Sequence, residues 1–430
     1  MIKSLRVENA PETALRTEIV AGITTFLAMA YISVVNPAML AQTGMDFGAV
    51  FVATCLAAAF GSIMMGLAGR YPIGLAPGMG QNAFFTYTVV LGAGHSWPTA
   101  LGAVFISGIL LIILSVLPVR ELLVNSIPRN LKIGISAGIG LFLAFIALKN
   151  AEIVVDNPAT LVGLGDLTQP PAILALLGLV IIITLTVRRV MGAVVISVLA
   201  MSFVGWVTGL AEFHGLASMP PSPAPVIFQL DILSALQLAM VPTILTLVLV
   251  DLFDTAGTLV GVSSRAGLLD AKGHLPNLRR ALLADSSATA AGALLGTSST
   301  TSYVESSAGV EAGGRTGVTA IVVGLLFLLA LFLSPLAQSV PSYATASALL
   351  YVACLMLQGM ETLDWSDPSE VAPAVITAIS MPLAFSIADG IGLGFIVYAV
   401  LKIISGRAKA CPLGVYLVAL LFVLKFAFLD

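Results

Sequence analysis

Charged side chains are scarce in this sequence. Asp, Glu, Lys and Arg make up 10% of its 430 residues, while 58% are hydrophobic. The net charge of −3 says nothing of partners in a chain with so little aqueous surface, and no nucleic-acid partner is expected. Cysteine is scarcer still: Cys55, Cys354 and Cys411 lie far apart with no CxxC pair, which argues against a disulfide framework and a thiolate metal site. The three histidines, His95, His214 and His274, fall in predicted loops, so no histidine cluster for a metal or a proton relay is expected. The GxxxxGK[ST] loop of an ATP-driven pump is missing. The opening MIKSLRVENAPETALRTE has no short apolar stretch with a small-residue cleavage site, so no removable signal peptide is expected. Nothing calls for a cofactor or a metal.

What is abundant is long apolar sequence. Runs of roughly 17–25 residues recur from end to end, each long enough to cross about 30 Å of hydrocarbon at 1.5 Å per residue. The runs are continuous rather than alternating, which points to an all-α polytopic membrane protein and away from a β-barrel. They fall at 18–41, 47–69, 74–91, 97–118, 131–149, 170–188, 190–210, 232–262, 280–296, 297–313, 316–336, 342–360, 370–386 and 388–405. That makes fourteen segments, followed by an apolar tail at 412–429 that reads either as a further span or as an interfacial helix.

Lys and Arg orient the chain. With the N-terminus cytoplasmic, alternate crossings place Arg70, Arg120, Arg129, Lys132, Arg188, Arg189, Arg265, Lys272, Arg279, Arg280, Arg315, Lys402, Arg407 and Lys409 on the inside. Lys149 and Lys425 fall outside, and Ser218 lies in an outer loop without basic residues. The acidic loop ETLDWSDPSE, placed inside with no basic residue of its own, is the weak point of this scheme.

Two segments break the apolar pattern. YPIGLAPGMGQNAFFTYTVV and GTSSTTSYVESSAGVEAGG put Gly, Pro, Ser and Thr where a helix interior is expected. Irregular backbone at membrane depth leaves N–H and C=O groups unpaired, so it is tolerated where protein or a cavity satisfies it. Each is the third segment in a group of seven. Interrupted segments at matching positions of two halves point to an inverted-repeat transporter, with half-helix N-termini facing a ligand. A plain kink is the competing reading of the first. Glu305 has two compatible readings: a ligand contact, or the last member of a capping box Ser302-x-x-Glu305 that starts its helix at Ser302. The match of Gly78–Ala83 to GxGxxA lacks a βαβ setting and is taken as chance.

The segment LAMVPTILTLVLVDLFDTAGTLVGV places Asp251, Asp254, Thr255 and Thr258 on one helical face. A carboxylate at the bilayer centre costs about 2.5–3.5 kcal/mol on the insertion scale, so such residues are candidates for a substrate or proton site. Asp254 as a helix cross-link is the alternative. Asn36–Pro37 reads as the end of the first helix or a kink, Asp285 as a helix-terminal charge, and Asp389 as a turn or cap. Gly134-x-x-x-Gly138 and Gly205-x-x-x-Gly209 read as close-packing motifs.

Four motifs, GLAPGMGQNAFFTYTVVLG, VDLFDTAGTLVGV, TSYVESSAGVEAGGRTG and SPLAQSVPSYATASALL, resemble in that order the azaguanine-type purine permeases of the nucleobase–cation symporter-2 superfamily. The resemblance covers nearly the whole chain. It implies fourteen helices as two inverted repeats of seven, with interrupted half-helices in segments 3 and 10. Residues 1–17 form a cytoplasmic N-terminus, 18–118 and 232–336 the two repeats of a core domain, and 131–210 and 342–430 the two repeats of a gate domain. It also implies proton-driven uptake of adenine, guanine or hypoxanthine across a bacterial cytoplasmic (inner) membrane. By motif, substrate contacts fall on Asn82, Phe84, Asp251, Thr255, Tyr303, Val304 and Glu305, and proton coupling on Asp251 and Asp254. The expected partners are a purine base, a proton and membrane lipid, and a homodimer is compatible with the sequence. An enzyme is not expected, because neither His nor Cys lies within a turn of the acids. The competing class is an anion transporter or channel of the same architecture, which would want positive charge where three acids converge.

Overall fold

The structure is a computed structural model that describes residues 5–7, 13–117, 128–270 and 275–428. Among the described residues, nine helices are long and apolar enough to cross a membrane. The first predicted segment is two helices, α1 (Leu15–Met29) and α2 (Ile32–Ala41). Asn36–Pro37 does not end it: α2 runs through Pro37 to Ala41. Then follow α3 (Phe47–Met64), β1 (Leu75–Pro77), α4 (Met79–Ala83), α5 (Trp97–Val116) and α6 (Arg129–Asn150). Both α3 and α4 continue into wider π-type turns, Met65–Gly69 and Phe84–Gly92. There Arg70 N–H reaches Met65 O at 2.8 Å and Ala93 N–H reaches Thr88 O at 2.9 Å, five residues back rather than four.

A surface hairpin of β2 (Val154–Asn157) and β3 (Leu161–Leu164) precedes α7 (Pro170–Val187) and α8 (Ala193–Thr208). The second half holds α9 (Ile232–Ala235), α10 (Val241–Arg265), α11 (Leu278–Leu295), β4 (Thr300–Ser302) and α12 (Ser306–Glu311). It ends with α13 (Gly317–Ala330), α14 (Ser334–Gln338), α15 (Ser342–Leu357), α16 (Pro368–Leu383), α17 (Ile387–Ile404) and α18 (Leu413–Phe428). The predicted segments 190–210 and 370–386 are helices of 16 residues each. At 1.5 Å per residue that is about 24 Å, short of the hydrocarbon thickness.

Packing follows the small residues. A Cβ on Gly134 would lie 2.6 Å from Ala374 Cα, and one on Gly138 2.5 Å from Met381 Sδ, so α6 and α16 approach closely along that pair. The acidic loop before α16 finds its cations at the far end of α17. Arg407 Nη1 lies 2.6 Å from Asp367 Oδ2, and buried Lys402 pairs with Glu370, which also accepts from Tyr398 at 3.0 Å. Hydrogen bonds from Ser369 and Arg407 hold the pKa of the half-buried Asp367 carboxyl at about 2. The tail is a helix packed along α17, and Lys425 Nζ reaches back 2.5 Å to Asp389 Oδ1 in the first turn of α17. Asp389 is thus an ion-pair partner, and the cap of α17 is Ser386, whose hydroxyl accepts from Asp389 N–H. Arg120 and Lys272, inside markers in the charge pattern, lie outside the described residues.

Candidate functional site

The two irregular segments meet each other. β1 pairs antiparallel with β4 in the register Leu75↔Ser302, Ala76↔Thr301 and Pro77↔Thr300. Gly78 N–H donates to Ser299 O at 2.9 Å and Tyr303 N–H to Gly74 O at 3.0 Å, extending the ladder at both ends. Side chains close the remaining gaps. Ser62 Oγ donates to Leu75 O at 3.0 Å and accepts from Leu75 N–H at 2.9 Å, Thr289 donates to Thr300 O at 2.8 Å, and Tyr303 OH donates to Pro77 O at 2.6 Å. The unpaired backbone expected of broken segments is therefore satisfied by the partner segment and by Ser, Thr and Tyr hydroxyls, which answers why these residue types crowd there.

The capping-box reading of Glu305 is corrected. Ser302 lies in β4 and its hydroxyl donates to Asp285 at 3.2 Å, so it starts no helix. The helix begins at Ser306, and Glu305 holds the N-cap position without a capping hydrogen bond from its side chain. Its carboxylate instead accepts from Tyr31 OH at 2.6 Å. Tyr31 sits at the junction of α1 and α2, buried to 4% exposure, so a fully wrapped phenol faces a half-buried carboxylate.

Asp251 and Asp254 lie on the same helix, α10. Asp251 is fully buried and its Oδ1 accepts from Gln81 Nε2 at 3.1 Å, joining α10 to α4. Asp254 is half-buried and within electrostatic reach of both Asp251 and Glu305. Three carboxylates from two segments thus converge. Tyr303 is within reach of Glu305 and Asp254 but spends its hydroxyl on Pro77.

Asn82 follows Gln81 in α4, and its Oδ1 accepts from Ser298 Oγ. Its amide nitrogen is buried and, like Gln81 Oε1, has no hydrogen-bond partner among the described residues. One orphan donor and one orphan acceptor thus lie on consecutive residues at the start of the first broken helix. Phe84 is buried at 1% exposure in the apolar core, whereas Val304 beside Glu305 is 48% exposed.

Thr255 is placed differently from the sequence expectation of a substrate contact. Its hydroxyl is committed to Asp285, at 2.8 and 2.9 Å from the two carboxylate oxygens, and lies 2.9 Å from Thr301 Oγ1. Asp285 is no helix-terminal charge: α11 starts at Leu278, and Asp285 is fully buried two turns in, accepting from Thr255 and Ser302. Its neighbours in ADSSATAAG, small and polar in an otherwise apolar helix, were the available signal. Tyr31 had none, since AMAYISV is an ordinary apolar run. Glu18, at the start of the first apolar run, is a further buried carboxylate. It accepts from Thr319 Oγ1 at 2.5 Å, Arg315 N–H at 3.1 Å and Thr316 N–H at 3.3 Å, tying α1 to the start of α13. Asn36 likewise bridges Thr54 at 2.7 Å and Thr297 at 2.8 Å.

A family model described as "Permease family" matches residues 16–393. The chain belongs to this family of nucleobase–cation symporter-2 permeases. It is 49% identical over 418 residues to the adenine permease AdeP of Escherichia coli (strain K12), covering 97% of this chain and 94% of the relative. It is 46% identical over 430 residues to the guanine/hypoxanthine permease PbuG of Bacillus subtilis (strain 168), covering 97% of this chain and 98% of the relative. In fold it is similar to the transmembrane domain of the cyanobacterial bicarbonate transporter BicA, with a TM-score of 0.67 at 15% identity, over 88% of this chain and 98% of that one. The protein is an integral membrane transporter rather than an enzyme.

Proposed function

We propose that this permease takes up purine nucleobases, adenine, guanine or hypoxanthine, across the cytoplasmic (inner) membrane, and that a proton moves with the base. The observation that carries the reading is the Tyr31–Glu305 pair beside Asp251, Asp254 and the orphan amide atoms of Gln81 and Asn82. A purine edge is a row of N–H donors and ring-nitrogen acceptors. Glu305 is the acceptor for a ring N–H, and Asn82 Nδ2 and Gln81 Oε1 supply a complementary donor and acceptor. The backbone at Tyr303 and Val304 borders that edge, and Phe84 is the apolar floor. In this assignment Thr255 is a positioning residue that acts through Asp285 and Thr301. Asp251 carries the coupled proton, with Asp254 second.

The same reading includes fourteen segments in two inverted repeats, with half-helices in segments 3 and 10. It takes 18–118 with 232–336 as core, and 131–210 with 342–430 as gate. The antiparallel pairing of β1 with β4, one strand from each half, supports it. Anion carriers such as BicA share this fold, but three converging carboxylates repel an anion and suit a neutral base with a proton. Uptake of labelled adenine, guanine and hypoxanthine, with and without a protonophore, tests the reading. Concentrative uptake of at least one base that collapses with the protonophore supports it. Equal uptake in the two conditions removes the proton, and no uptake of any of the three removes the substrate class.

A further inference from the structure

Beyond the carboxylate site, a separate cavity of about 210 Å³ lies where the ends of α2 and α6 meet the start of α15. One stripe of α2 connects the two places. Tyr31, Val35, Ala38 and Gln42 recur at helical spacing, so the face that begins at the Glu305 hydrogen bond ends in the cavity wall. On the facing helix, Ser342, Thr345 and Leu349 line the cavity, and Tyr351, further along, comes close enough to Tyr31 to interact with it electrostatically. Along α2 the cavity wall thus runs toward Glu305: its near end, Val35, is one turn or about 6 Å from Tyr31, and its far end, Gln42, about 16 Å. With the N-terminus cytoplasmic, as the Lys and Arg pattern implies, Gln42 at the far end of the Leu15–Ala41 span puts the cavity toward the outer side.

Its chemistry is specific. No lining side chain is charged, so neither an anion nor a cation is held there. The side-chain amides of Gln42 and Asn150 give the wall donors and acceptors together, and both approach the Tyr87 hydroxyl in the first broken segment. Val35, Met39 and Leu349 are apolar. The volume is below the ~300 Å³ at which pockets for drug-sized ligands begin, which suits a single small heterocycle.

We propose that this cavity is an outer subsite that takes a neutral planar base before it reaches Glu305, with the Gln42 and Asn150 amides reading its edge. The inference rests on the purine reading above. Removing both amides in Gln42→Ala/Asn150→Ala is expected to raise the half-saturation concentration for uptake from outside by about fivefold to tenfold. Equilibrium binding of the same base to the purified protein should stay within about twofold, because neither residue touches the Glu305 site. Ala38→Trp fills the cavity without altering either amide. It should slow association and dissociation of base added outside in parallel and leave the equilibrium affinity unchanged. An unchanged half-saturation in the double variant, or unchanged association in Ala38→Trp, overturns the subsite. So does a parallel loss of equilibrium binding, which would place the amides in the inner site. If the unaltered protein takes up none of the three bases, the purine reading itself fails and takes the subsite with it.

Discussion

Tyr31 donates its hydroxyl hydrogen to Glu305 across 2.6 Å, joining the break in the first membrane segment to the break in the second half. The donor holds one carboxylate oxygen of Glu305 in a fixed direction. Because the Glu305 side chain makes no cap bond, the binding role proposed for it can be separated from a folding role.

Glu305→Gln is expected to weaken binding of the base by about tenfold to a hundredfold, the loss of a charge-assisted hydrogen bond worth about 1.5–3 kcal/mol. The apo melting temperature should hardly change. Tyr31→Phe should cost less, since it removes only the orienting bond, and in the double variant the two losses should not add. Calorimetric affinities and thermal melts of the three purified variants check this. A fall in apo melting temperature with affinity intact would return Glu305 to a structural role.

Asp251→Asn keeps the acceptor for Gln81 Nε2 and removes only the titrating group. Concentrative uptake should disappear while exchange of labelled for unlabelled base persists. One charge moved through 100 mV is worth about 2.3 kcal/mol, so loss of a single coupled proton lowers accumulation roughly 50-fold. Proteoliposomes with an imposed proton gradient read both activities. Retained protonophore-sensitive accumulation would shift the proton to Asp254.

Thr255→Val takes a donor away from the buried Asp285 carboxylate. The expected cost is about 1–3 kcal/mol of stability, seen as a lower melting temperature, with base affinity within about threefold of the parent. Thr255→Ser should restore the melting temperature. A large loss of affinity without destabilisation would instead make Thr255 a direct contact.

Asp367 carries a sign-definite pH dependence. Ser369 and Arg407 hold its folded value at about 2, below the usual ~3.9. Its contribution to stability is therefore present above that usual value and is lost as pH falls through the folded one. Asp367→Asn should melt below the parent between pH 5 and 8 (roughly the range of native stability), and the two curves should converge as the pH drops toward about 2. Curves that stay apart in acid would assign the difference to something other than this carboxylate.

Much of the fold was readable because long apolar runs have few alternatives in a bilayer. The two broken segments and the Asp251–Asp254 face were visible because Gly, Pro and carboxylates are costly at that depth. The partners were not. Nothing local ties Tyr31 to Glu305, Thr255 to Asp285, or Lys425 to Asp389, because each joins segments distant in sequence. Asp285 went unrecognised because a carboxylate following two arginines reads as surface until the helix start is known. The acidic loop looked anomalous for the same reason: its cations, Lys402 and Arg407, come a helix hairpin later.

The short ladder between Leu75–Pro77 and Thr300–Ser302 also constrains how the chain is made. The first strand leaves the ribosome some two hundred residues before the second, a wait of about 10–40 s at 5–20 residues per second. Until then Ser62 holds the main chain of Leu75, but the groups of Gly74, Ala76 and Gly78 that pair with the second strand have no mate, and membrane offers none. The amino-terminal half should therefore linger beside the insertion machinery or its chaperones, and when expressed alone should be cleared by proteases rather than accumulate.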